Sequence, residues 1–572
     1  MKNLKLNLLL IAAATIVLNS CGGLSKMVEN SNTVKYQVVP SPLETHGGQV
    51  DVTMTVTFPE KYFNKKATVT ATPVLKYEGG QTEFEATILQ GESVEANNKV
   101  IPYAGGNYTY TGKIPYKAEM LKSQLVVEMS AQIGDKTPVE IPGIPVAIGV
   151  IATPTLVQIT PQAIMMGDKY QRISPESYNA QILYVINKYD VRKTELSKAE
   201  VAELNKKIEE AQANERIQLK GAKISAYASP DGEVDLNTKL SENRGKSAEN
   251  YLKQTMKKLK VTEAESAEFL KVVSTAEDWD GFKTAMEASN IKDKELILRV
   301  LSMHSDPAVR EKEIKNIAAA YNEIAETILP ELRRSQMIID VEKVGYSDEE
   351  LVALTQSNID TLNLEELLYA ATLIADNSAK LAVYQKAAQK YPDCVRAHNN
   401  VGYVQIQLGN VAEAKAAFEA AKAIKEIDVV KNNLGVIAML EGDMATAEQL
   451  FTSAMGAGDA VNANLGIIKI QQGDYKAAVS YLGNQVSFNS ALAQLLNGET
   501  EKAQNTIGQV EGEVAINYYL KAVAGARAGR EEEVINNLRR AIELDGAWKA
   551  YAIKDAEFSK FVASEGFAAL VK

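Results

Sequence analysis

Between residues 50 and 58 apolar and polar side chains alternate without a break, Val50, Val52, Met54, Val56 and Phe58 against Asp51, Thr53, Thr55 and Thr57. A period of two is that of a strand with one buried and one wet face. Further strand candidates lie at 67–74, 107–114 and 123–129, separated by Gly79-Gly80 and Gly105-Gly106, dipeptides suited to tight reversals. Residues 34–155 therefore read as an all-β module. Beyond residue 177 the pattern mixes: a strand at 181–189, a charged amphipathic helix at 197–211, a strand at 222–228, a helix at 246–258, a largely helical stretch at about 263–330 and a strand at 335–341. This predicts an α+β domain over 156–348 with a helical insertion, anchored by Trp279, Phe282, Leu296, Ile297 and Tyr321. From 349 to 572 the chain is helical and repetitive. Turns at Gly409-Asn410, Gly442-Asp443, Gly473-Asp474, Gly498-Glu499 and Gly529-Arg530 recur with a period of roughly 30 residues, the signature of stacked helix pairs.

The three patterns agree with the size of the chain. At 572 residues it exceeds the ~250–300 at which single cores stop growing, so several domains are required. With 46% hydrophobic and 24% charged residues it has the composition of a folded protein rather than a disordered one. A net charge of −11 with no basic patch excludes a nucleic-acid holder. The β module, with strands of this spacing, is similar to an immunoglobulin-like sandwich. Tyr103, Tyr108, Tyr110 and Tyr116 either form an aromatic contact face or are ordinary strand tyrosines.

Charge and hydropathy at the start set the compartment. Lys2 and Lys5 precede an apolar run at 8–18, long enough for a signal peptide (1–20) and too short to span a bilayer. The run ends Leu18-Asn19-Ser20-Cys21, which resembles the lipobox of bacterial lipoproteins. That resemblance implies cleavage before Cys21, acylation of Cys21 and anchorage in outer-membrane lipid, with 21–33 as a lipidated tether. Residues 22–26 lack the acidic run that resembles a surface-export tag, so the expected orientation faces the periplasm. The other cysteine, Cys394, stands at a helix start, where a lone thiol is a small apolar residue, and no disulfide framework exists.

Ser229-Pro230-Asp231-Gly232, Asn237, Leu240-Ser241 and Arg244 follow the strand at 222–228 and lead into a helix. In spacing they resemble the OmpA-like peptidoglycan-binding domain. The resemblance implies that an aspartate and Arg244 grip the diaminopimelate of the peptide stem, carboxylate to ammonium and guanidinium to carboxylate. Ser229 stands in the aspartate place, and a neutral hydroxyl does not replace a charge-assisted bond of roughly 1.5–3 kcal/mol. Asp231, two residues on, reaches the same loop; alternatively Ser-Pro-Asp-Gly is a turn and Arg244 pairs with Glu242 or Glu249. Ser229, Asp231, Asn237 and Arg244 are the candidate wall-binding residues.

Asn400-Val401-Gly402, Asn433-Leu434-Gly435 and Asn464-Leu465-Gly466 repeat one position of the first helix of each pair, and Phe418, Phe451 and Tyr481 one of the second. These residues resemble the tetratricopeptide repeat, in which small residues let helices approach and an aromatic fills the gap. A terminal cap with Trp548, Tyr551 and Phe558 is expected. The resemblance implies a concave groove for peptides or partner domains, with Asn399, Asn432 and Asn464 either clamping an extended backbone there or packing helix to helix.

Three histidines, His46, His304 and His398, fall in three modules, and no nucleotide-loop, nucleophile-elbow or zinc-protease motif occurs. No enzyme, metal site or cofactor is expected. The sequence thus describes a periplasm-facing outer-membrane lipoprotein that holds other envelope proteins through its repeats, as a scaffold of an assembly, secretion or transport complex. The alternative is a tether from outer membrane to peptidoglycan.

Overall fold

The computed structural model describes residues 23–572; the segment 1–20 and Cys21 lie outside the described residues. The chain divides into two compact units, one built from the residues up to 166 together with 391–572, the other from 167–390.

The first unit opens with a short helix, Ser25–Glu29. Leu24 and Met27 are each 1% exposed and belong to the core of the β module, so the expected tether is packed from residue 24 onward. Two apolar residues three apart share one helical face, and that face is buried. Strands β1 (Lys35–Val39), β2 (Thr45–His46), β3 (Gln49–Phe58) and β8 (Gly106–Pro115) make one sheet. The second contains β4 (Ala67–Tyr77), β5 (Gly80–Glu83), β6 (Thr87–Gly91), β7 (Lys99–Ile101), β9 (Ser123–Ile133) and β10 (Val139–Gly149). The apolar row of β3, Val50 to Phe58, shares one core with Val69, Ala71 and Leu75 of β4 and Leu125, Val127 and Met129 of β9. Each such side chain contributes about 1.5–3 kcal/mol on burial. Tyr108 and Tyr110 also turn inward, the latter donating its hydroxyl hydrogen to the Glu85 carbonyl at 2.8 Å, so they do not form an aromatic face with the exposed Tyr103.

In the second unit β11 (Ile173–Leu183), α1 (Ala199–Ala213), β12 (Ile217–Tyr227), α2 (Val234–Lys258), β13 (Leu270–Thr275) and β14 (Arg334–Val344) build a sheet of order β11-β14-β12-β13. Antiparallel β14 separates β11 from β12, and β13 runs parallel to β12. Leu240, Ala248, Leu252 and Met256 bury one face of α2. Gly245 lets that helix approach closely: a Cβ there would fall 2.9 Å from Val272 and 3.4 Å from Ala226. Two expectations shift. The first strand lies at Ile173–Leu183 instead of 181–189, because only its end points inward and most of it is half exposed. Strand β13 falls inside the stretch read as helical from 263; it is an exposed edge whose Val272-Val273 pair carries β propensity without alternation. The helical insertion therefore begins at Trp279 and carries its own core of Phe282, Met286, Ile297, Leu301, Ile314, Ile324 and Leu329, while Leu296 is exposed.

Helices Asp348–Ser357, Leu364–Leu373 and Asn377–Lys390 belong to this unit, although the sequence assigns residues from 349 to the repeats. Specific contacts hold them: Glu350 pairs with Arg216 of the sheet at 2.7 Å, and Tyr369 stacks on Tyr170 at 4.7 Å.

Residues 391–572 return to the first unit as helix pairs: α3 (Val395–Gln407) with α4 (Val411–Ile424), α5 (Asp428–Leu440) with α6 (Met444–Thr452), α7 (Asp459–Gln472) with α8 (Tyr475–Leu482), α9 (Phe488–Leu496) with α10 (Thr500–Gln509), and α11 (Ala515–Arg527) with α12 (Glu531–Leu544). A Cβ on Gly402 would fall 2.5 Å from the Phe418 ring, on Gly435 2.6 Å from Phe451, and on Gly466 2.5 Å from Leu482. The constant offset places Leu482, not Tyr481, in the third copy of this contact. Tyr519 stacks on Trp548 at 4.2 Å and meets Tyr551 and Phe558 edge-on, closing the array as a cap.

Because the Gly435 site has no room beside a buried ring, Gly435→Ala should cost about 1–3 kcal/mol by overpacking. The measurement is a thermal melt of the full chain; an unchanged midpoint would show that the ring can retreat.

Candidate functional site: a backbone clamp in the repeat groove

Helix propensity would exclude asparagine from the middle of α3, α5 and α7, since its side chain competes for backbone hydrogen bonds. Its presence needs a reason, and burial sharpens the question: Asn399, Asn400, Asn432, Asn433 and Asn464 are all 0% exposed, and Asn489 of α9 is 6% exposed. A buried primary amide without partners costs about 1–3 kcal/mol for each unpaired group.

The partners are supplied by residues 158–166 of the same chain and the same unit, which run extended and outside any sheet. Asn489 accepts the Gln158 N–H at 2.9 Å and donates to the Gln158 carbonyl at 2.7 Å. Asn464 treats Gln162 in the same way, at 2.7 and 3.0 Å. Asn433 holds Ile164 at 2.7 and 2.8 Å, and Asn400 holds Met166 at 2.8 and 2.8 Å. A carboxamide carries the same donor and acceptor pair as a peptide unit, so each asparagine imitates a neighbouring β-strand residue. Clamped residues share the parity of a strand, one face of whose backbone is presented to the helices.

Asn399 and Asn432 form a second row. Asn432 donates to the Gln162 carbonyl at 3.0 Å and Asn399 to the Ile164 carbonyl at 3.0 Å. Their remaining valences link the clamps: Asn464 donates to Asn432, Asn432 to Asn433, Asn433 to Asn399 and Asn399 to Asn400, at 2.8–3.2 Å. The amide chain is continuous across three repeats. Of the groove residues, Asn399, Asn432 and Asn464 are singled out by the sequence; Asn400, Asn433 and Asn489 are not, although the first two stand in the repeated Asn-x-Gly triplet. Aligning Asn489-Ser490-Ala491 with those triplets is the signal that finds the fourth clamp.

The segment is fixed at its start by ions. Thr153 donates its hydroxyl hydrogen to Glu557 at 2.6 Å, and Arg527 of α11 pairs with Glu557 at 2.6 Å and Glu44 at 3.2 Å. Burial works against the charge on Arg527, but both carboxylates outweigh it and hold the guanidinium above its ordinary value. Asp555 beside them is pushed up to about 6 by burial and by Glu557. His46 at the β2 turn lies edge-on to Tyr475 at 5.0 Å, a packed side chain.

The candidate wall-binding residues are placed differently. Ser229, Asn237 and Arg244 are 5%, 4% and 1% exposed. Asn237 donates to the Ser229 and Gly232 carbonyls at 3.1 Å, tying the loop to α2. Arg244 donates to the carbonyls of Lys188 at 3.1 Å and Tyr227 at 2.9 Å and lies over the Tyr184 ring; burial lowers it to about 10. Asp231 receives the Ser229 hydroxyl and pairs with Arg333 at 3.2 Å. Arg333, not Arg244, is thus the cation of the loop, and neither Glu242 nor Glu249 pairs with Arg244. Trp279, Phe282, Tyr321 and Ile324 of the helical insertion pack beside Pro230 and Asp231, leaving a space of only about 10 Å³. Among the described residues no group of acidic, histidine or cysteine side chains is arranged to hold a metal ion.

Residues 395–428, spanning α3 and α4, match the Tetratricopeptide repeat family. Among solved structures, a tetratricopeptide repeat protein from Parabacteroides merdae is similar at 15% identity, covering 36% of this chain and 90% of its own, with a TM-score of 0.28. PilF of Pseudomonas aeruginosa covers 38% of this chain and 97% of its own at 17% identity and a TM-score of 0.28. PilW, described as a type IV pilus biogenesis factor, covers 39% and 98% at 16% identity and a TM-score of 0.26. No curated protein matches. The class defined by helix pairing, the Gly-to-ring contacts and the family match is a tetratricopeptide repeat array preceded by a β-rich module.

Asn433→Leu removes both bonds to Ile164 and leaves the Asn399 and Asn432 amides short of partners, so it should lower stability by roughly 2–5 kcal/mol. Denaturant unfolding checks this, and a loss under 1 kcal/mol would mean that water replaces the clamp. The occupied, roofed Arg244 site should leave the full chain in the supernatant when it is spun with purified sacculi. Co-sedimentation abolished by Arg244→Ala would restore the wall-binding site.

Proposed function

We propose that this protein is a non-catalytic, periplasm-facing outer-membrane lipoprotein whose repeats hold other envelope proteins in an assembly, secretion or transport complex. One observation carries the reading: the repeat array grips an extended polypeptide by its main chain, through bonds at 2.7–3.0 Å from four successive repeats. Such a groove is a device for holding protein, without the nucleophile, base and activated water that a reaction needs. The lipobox-like Leu18-Asn19-Ser20-Cys21 supports acylation of Cys21, and the module that follows it is read as immunoglobulin-like. The sheet order and the placement of Asn237, Leu240 and Ser241 on α2 support an OmpA-like fold for the second unit. The peptidoglycan-tether alternative draws no support from the loop, whose Asp231 is already paired with Arg333.

A photo-reactive residue placed in turn at the exposed Glu413, Glu441 and Lys476 of the repeats, in cells expressing the full chain, should give discrete adducts with envelope proteins. The Cys21→Ser chain should leave the membrane fraction and lose those adducts. Absence of any protein adduct, or membrane retention without Cys21, overturns the reading.

A further inference from the structure

We propose that residues 157–166 are a resident, exchangeable occupant of the repeat groove, and that the site accepts in their place an extended, uncharged stretch of a second polypeptide. This deepens the scaffold reading and rests on it for the existence of a natural partner.

The groove reads backbone, not side chains. Every bond from the asparagines of α3, α5, α7 and α9 to the segment ends on an N–H or carbonyl of Gln158, Gln162, Ile164 or Met166. Ile159, Thr160 and Gln162 are exposed, and Leu156, Val157 and Ala163 pack on the repeat cores. A main-chain reader tolerates any extended sequence that offers N–H groups at the clamped parity. The resident segment meets that rule even in its one proline: Pro161, which lacks an N–H, falls between clamps, and the Thr160 N–H turns back to the Gln158 carbonyl.

Charge narrows the occupant. The buried polar groups of the four first helices are Asn399, Asn400, Gln405, Asn432, Asn433, Asn464, Asn489, Ser490 and Gln494, none ionisable. Residues 141–167 likewise carry no Asp, Glu, Lys or Arg. An acidic or basic side chain at the packed positions of Leu156, Val157 or Ala163 would be buried with no counter-ion among these groups, a cost that an uncharged residue there avoids. Nor does the groove stand dry and empty, because vacating it strips partners from a continuous row of buried amides. One strand therefore leaves as another enters.

Tethering decides who wins. A segment held at both ends competes with an effective concentration on the order of mM, so a free peptide is excluded from the intact chain and admitted when the resident clamps are weakened. Proline at 162 and 164 removes the two N–H donors taken by Asn464 and Asn433 while leaving all groove residues in place.

The experiment titrates a fluorescein-labelled peptide copying residues 156–168 into the full chain, wild type and Gln162→Pro/Ile164→Pro, with anisotropy and thermal melts as readouts. Binding at least tenfold tighter to the variant, with a melting midpoint raised by peptide in the variant alone, is the expected result. The same peptide with proline at 162 and 164 should not bind. Equal binding to both proteins would place the peptide elsewhere, and a helical, folded variant that binds nothing would make the segment a fixed strut; either overturns the proposal. If the double variant is unfolded, refolding it with and without peptide decides: rescue by peptide supports exchange, and failure of rescue overturns it. Because the ligand is synthetic, a negative result here leaves the cross-linking outcome for natural partners standing.

Discussion

A buried amide must find partners, and the first unit is organised around six asparagines that find them in residues 158–166 and in one another. Their bonds join parts of the chain separated by 234–331 positions. Without that segment the inner face of the repeats would present unpaired donors and acceptors; without the asparagines the segment would be an unsupported linker. The ionic contacts at Thr153, Glu44, Arg527 and Glu557 set where the segment enters, and the clamp parity sets which of its atoms face inward. Packing supplies most of the stabilisation, through the Gly-to-ring contacts and the aromatic cap, but the amides specify the register.

The second unit shows the opposite use of polar groups. Arg244, Asn237 and Ser229 resemble a ligand-binding motif in sequence spacing, yet each is satisfied by the protein itself, and Arg333 neutralises Asp231. The helical insertion after β13 completes the closure by laying Trp279 and Tyr321 beside the loop. A constellation can keep its spacing in sequence while its charges are spent on holding a loop.

How much of this could be read from the sequence depended on periodicity. The β3 row, the helix at 199–213 and the repeat turns were legible because alternation and recurrence report burial directly. Strand β13 was not, since an exposed edge of six residues has no inward row to betray it. The burial of Leu24 and Met27 was hidden for a related reason: two apolar positions do not make a pattern. At Asn399, Asn432 and Asn464 the sequence left backbone clamping and helix-to-helix packing both open, and their partner in the chain was not legible, because nothing in residues 156–166 distinguishes an inter-domain linker from a ligand. Arg333 escaped notice since it is separated from Asp231 by 102 positions and lies in no motif.

The division of the chain has a consequence for how it comes to be folded. Residues 167–390 interrupt the first unit, whose two halves meet across separations as large as 483 positions. Contacts so distant along the chain carry a high loop-closure cost and form slowly. During vectorial synthesis the interrupting unit, continuous in sequence, can complete its sheet while the β module and its uncharged trailing segment wait for the repeats to emerge. For that interval the apolar stretch 141–166 has no groove to enter, and guarding it from self-association falls to whatever accompanies the nascent chain.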